Sequence, residues 1–139
     1  LKSKIIKIFV VNKMSSPSNI RSFQVRFTNG YLVQEDYMNN IVLERIIDTH
    51  TLSDIRKISF YFDDGQTPFH SLILRNPSET DDNIKFDVDF FTYYNDNNKL
   101  TELTKDEKEN DYNIVMSTLL TSNILKEKLI SNINLPVFE

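Results

Sequence analysis

His50 and His70 are the two histidines of this 139-residue protein. A histidine can serve as a general base or a metal ligand, but neither one stands in a spacing suited to those tasks. Two histidines build a zinc site only with carboxylates in support. His70 lies between Phe69 and Ser71 and reads as a surface residue on the polar side of a strand. Asp63-Asp64-Gly65 has the acidic start of a calcium loop without its regularly alternating ligands or terminal Glu, so it reads as a turn. Asp81-Asp82 and the pair Asp87 and Asp89 read as a solvated acidic surface. The chain has no Cys, which excludes thiolate chemistry and disulfides, and its two Gly cannot build a glycine-rich phosphate loop. No Ser or Thr sits in a nucleophile motif. The sequence therefore points away from an enzyme, with no catalytic, metal or cofactor residues expected.

The elements that would position any site are legible in the apolar pattern. Ile58–Phe62, Phe69–Leu74 and Ile84–Phe90 are three apolar segments separated by Asp63–Pro68 and by Asn76–Asn83, both rich in turn formers. They predict an antiparallel three-strand meander within 55–94. In the third segment Ile84, Phe86, Val88 and Phe90 alternate with Lys85, Asp87 and Asp89. Side chains alternate faces along a strand, so one face is apolar and the other wet. Upstream, Ile5–Val11 predicts a buried strand and Asn12–Asn19 a loop. Phe23, Val25 and Phe27 predict a half-buried strand, Asn29-Gly30 a type I′ hairpin turn, and Tyr31–Gln34 the returning strand.

Two segments admit two readings. Ile41–Ile47 is expected as a strand on its β propensity, with a helix over about 36–48, capped by Asp36, as the alternative. Downstream, Thr104-Lys105-Asp106-Glu107 matches a capping box, and Tyr112, Val115, Met116, Leu119 and Leu120 follow at helical spacing. A C-terminal helix from about 105 to about 130 is expected, kinked or broken near Ser122. The competing reading makes 113–120 a last strand. Leu135-Pro136-Val137-Phe138 is an apolar tail that docks on the domain or on a partner.

Composition bounds the class. Hydrophobic residues make up 40% and charged residues 26%, with ten Phe and no Trp, as in an ordinary globular, β-rich domain. The length suits one domain spanning 1–139, and the opening Leu1 suggests one excised from a longer protein. No apolar run approaches the roughly 20 residues of a membrane span. The net charge is −4, with +4 on residues 1–60 and −8 on residues 61–139. An acidic total makes nucleic acid an unlikely partner. The absence of Cys and of a usable glycosylation sequon favours an intracellular location, cytoplasmic or nuclear.

The run Ser22–Leu32 resembles the second strand, turn and third strand of the pleckstrin-homology-like superfold shared with phosphotyrosine-binding-type domains. Leu52–Phe60 resembles its fifth-strand entry. The fold class this implies is mostly β with a C-terminal helix, arranged as an antiparallel barrel or sandwich. The alternative is an α+β sheet with helices at about 36–48 and at the C-terminus. The resemblance implies a non-catalytic protein–protein interaction domain, a scaffold or adaptor in a multisubunit assembly. Its partner would be another protein chain or another region of the parent protein. Phe69, Leu72, Leu74, Leu125, Leu129 and Phe138 are the expected partner surface. The lipid-binding version of the superfold implies phosphoinositide contact at Lys13 and Arg21, and Arg26, on the polar face of its strand, would add to an anion-contacting surface. That reading is the disfavoured alternative, and contact with nucleic acid through the same basic half is a further one.

Overall fold

The computed structural model describes residues 20–62, 70–77, 84–92 and 102–138. The expected first strand Ile5–Val11, Lys13, Asp63–Phe69 and Asp81-Asp82 lie outside the described residues. The described elements are β1 (Ser22–Phe27), β2 (Leu32–Asp36), α1 (Ile41–Thr49), β3 (Ile55–Tyr61), β4 (His70–Arg75), β5 (Asp87–Thr92), α2 (Lys105–Leu119) and α3 (Asn123–Lys128). The strands form one antiparallel sheet in the order β2-β1-β3-β4-β5. The three helices, one of them C-terminal, make the architecture mixed α+β.

Period-2 alternation builds the core. Val25, Ile58, Leu74 and Val88 lie opposite one another in register, and Phe23, Phe60, Leu72 and Phe90 form the next row. These rows share one face of the sheet. Leu43, Ile46 and Ile47 of α1, Val115, Met116 and Leu119 of α2, and Leu125 and Leu129 complete the same cluster. Each large side chain buried here contributes roughly 1.5–3 kcal/mol. The second face carries polar rows, among them Arg26, Lys57, Arg75 and Asp87. Arg75 is paired with Asp87 and Asp89 on this side.

The meander expected over 55–94 is present as β3, β4 and β5. Its third strand begins at Asp87 rather than Ile84. The Phe86 N–H donates to the Asn132 carbonyl and the Asn134 N–H to the Phe86 carbonyl, so this residue bridges to the C-terminal segment instead of to β4. Ile84 and Phe86 are nevertheless buried, as the alternation requires. Four residues, Thr28 to Tyr31, separate β1 from β2, not the two of a type I′ turn. The Gly30 N–H closes a turn on the Phe27 carbonyl, and Gly30 takes a positive φ of 93°.

Ile41–Thr49 is a helix, which corrects the strand expected there. Its β-branched residues favour a strand locally, but spacing decides: Leu43, Ile46 and Ile47 fall on one helical face and are buried. Asp36 does not cap it. That residue ends β2, and the Asn39 side chain accepts from the Ile41 N–H instead. At 113–120 the helical reading holds. Thr104 and Glu107 make both bonds of the capping box, at 3.1 and 2.9 Å. The break near Ser122 is present too: Ser122 Oγ accepts from the Leu125 N–H and starts α3. No helix among the described residues is long and apolar enough to cross a membrane.

Candidate functional site

Of the residues expected to contact anions, Lys13 lies outside the described residues, and Arg21 and Arg26 are not neighbours. Arg21 precedes β1 and Arg26 lies five positions on, near its far end, so about 17 Å of extended chain separates them. Arg26 instead lies directly opposite Lys57. Of the expected partner surface, Leu72, Leu74, Leu125 and Leu129 are fully buried and belong to the core, which corrects that expectation. Phe138 is half-buried, its ring meeting those of Tyr112 at 5.6 Å and Phe90 at 6.0 Å. The apolar tail therefore docks on its own domain at this residue. Leu135 and Val137 stay exposed.

His70 is not on the polar face. It shares parity with Leu72 and Leu74 and points toward α2, where Glu107 and Asp111 sit one turn apart. Nδ1 lies 3.2 Å from Asp111 Oδ2 and 3.5 Å from Oδ1, and Nε2 lies 3.7 Å from Glu107 Oε2. Asp111 is only 3% exposed, and its Oδ2, although the nearer oxygen, makes no hydrogen bond. Burial pushes the Asp111 carboxyl above the usual carboxylate range; His70 opposes that rise and Glu107 adds to it. Glu107 is held below its usual range, first by the backbone N–H of Thr104. The two carboxylates address opposite ring nitrogens, so the three groups do not face one point. Among the described residues no group of three or more side chains is placed to hold a metal ion. Ser71, the adjacent hydroxyl, is on the other face of β4, and among the described residues no nucleophile completes a catalytic set around His70. The cluster ties β4 to α2.

A second constellation was not read from the sequence. Tyr37 donates its hydroxyl hydrogen to Asn40 Oδ1. Asn40 Nδ2 in turn donates to the Thr118 carbonyl at 3.1 Å and to Thr121 Oγ1 at 2.8 Å. Ser122 Oγ donates to Glu44 at 2.5 Å, and Lys128 pairs with Asp48 at 2.6 Å. Burial, with the Glu44 charge adding to it, pushes the Tyr37 phenol far above its ordinary value, so it remains a donor. These bonds fasten the start of α1 to the end of α2 and to α3. Around this braced junction three large apolar side chains face solvent: Met38 at 85%, Ile41 at 55% and Leu120 at 48% exposure. Nothing in a single sequence pairs Asn40 with Thr118, 78 residues away. Leu120, expected in the apolar stripe of α2, is exposed instead.

No family model matches the chain, and neither a curated protein nor a solved structure matches it.

Proposed function

We propose that this chain is a non-catalytic protein-interaction domain, a scaffold or adaptor in an intracellular multisubunit assembly. It docks a partner chain presenting apolar side chains onto the strip Met38, Ile41 and Leu120. The observation that carries the reading is this strip's exposure on a junction held by side-chain hydrogen bonds. Apolar side chains gathered on a rigid support lose little entropy on docking. The resemblance to the pleckstrin-homology-like superfold supports an interaction role through its antiparallel strands and terminal helix. Helix α1, however, stands where β propensity suggested a strand. A role on anionic membranes has less support, because Arg21 and Arg26 stand at opposite ends of β1.

The test compares the native chain with a Met38→Asp, Ile41→Asp, Leu120→Asp variant. All three positions are exposed, so the variant keeps the native circular dichroism spectrum. It is expected to lose the chain that co-purifies in fixed stoichiometry with the native protein. Retention of that chain would overturn the reading. In parallel, phosphoinositide-containing vesicles at physiological salt are expected not to sediment the native chain. Saturable sedimentation abolished by Lys13→Glu with Arg21→Glu would install the lipid reading in its place.

A further inference from the structure

The sheet has two edges, and they differ. At the β5 edge the C-terminal segment makes a two-bond bridge to Phe86, just before the strand. At the β2 edge no strand among the described residues pairs beyond β2. The direction of the unused groups follows from the ladder. The Phe27 N–H donates to the Tyr31 carbonyl at 2.9 Å, and the Tyr37 N–H to the Arg21 carbonyl at 3.0 Å. Antiparallel strands alternate bonded and non-bonded pairs. Val33 and Glu35, opposite Val25 and Phe23, therefore bond inward. Leu32, Gln34 and Asp36 direct their N–H and C=O groups outward, a template for a further strand.

The edge is also chemically graded. Leu32 and half-buried Val33 make one end apolar, while exposed Glu35 and Asp36 make the other acidic. Neither acid has an ion pair among the described residues. The acidic end leads through Tyr37 straight to Met38 and the apolar junction. We propose that β2 accepts an extended segment of the partner chain by strand addition, apolar where it meets Leu32 and basic where it meets Glu35 and Asp36. Main-chain bonds would supply affinity and the charged end the choice of partner. This rests on the protein-interaction reading and assigns it a mode.

The experiment pans random peptides of about nine residues, a strand's length, against the full chain. Binders are expected to alternate β-branched residues and to carry Lys or Arg at one end. They should lose at least about tenfold in affinity on Gln34→Pro and on Glu35→Lys with Asp36→Lys. Proline is tolerated at an edge where its missing N–H faced outward, so Gln34→Pro leaves the β1–β2 ladder intact. The charge-reversal pair supplies the same answer if the proline variant does not fold. Binders that hold equally to these variants, or a library that yields none, overturn strand addition. Binders lost only on the Met38, Ile41 and Leu120 variant also overturn strand addition while leaving the interaction reading standing.

Discussion

His70 and Asp111 are 41 positions apart, and the fold presses one against the other at 3.2 Å. A buried carboxylate is costly unless paired, and here the pairing is incomplete: one oxygen makes no hydrogen bond. In His70→Ala both influences that lower the Asp111 carboxyl disappear, while burial and Glu107 still raise it. An acid held above its unfolded value costs stability in full above its folded-state pKa. That cost is relieved as pH falls toward the unfolded value. His70→Ala should therefore cost about 1–3 kcal/mol at pH 7, the range for an unsatisfied buried group, and less on acidification. Adding Asp111→Asn should return most of that loss at pH 7. Urea melts at pH 7 and pH 5 check this, and a penalty independent of pH would contradict it. This pairing was hidden from the sequence. The mixed run Phe69-His70-Ser71 does not say which parity faces the core, and only the helix packed over β4 decides.

At the scale of elements, legibility follows periodicity. The three-strand meander, the capping box at Thr104 and the break at Ser122 were all readable, because each is set by residues close in sequence. The stretch 41–47 was not, because β propensity and helical spacing disagree there and burial against α3 settles the matter. The apolar positions of the expected partner surface failed for a related reason. Leu125 and Leu129 are an i, i+4 pair, which reads equally as a docking stripe or as a core stripe. A contrast of neighbours tests the orientation of α2. Leu119 is fully buried and Leu120 half-exposed. Leu119→Ala should destabilise by roughly 2–5 kcal/mol, whereas Leu120→Ala should stay within about 0.5 kcal/mol. Equal shifts in urea midpoint would show that the helix is rotated from the arrangement described.

For the molecule as a whole, the sheet and helices use their apolar faces on one another, and what remains outward defines what the domain can do. Neither a convergent catalytic set nor a basic concavity emerges among the described residues. A braced apolar junction next to an open sheet edge does, and neither was legible in the sequence, because both depend on contacts between distant segments. The most direct measurement places a photo-crosslinking amino acid at Ile41, in the cells that produce the protein, with exposed Glu127 of α3 as the control position. The account predicts a discrete adduct with another protein chain from position 41 that position 127 does not form and that Leu120→Asp removes. The same adducts from both positions, or adducts with lipid alone, would contradict it.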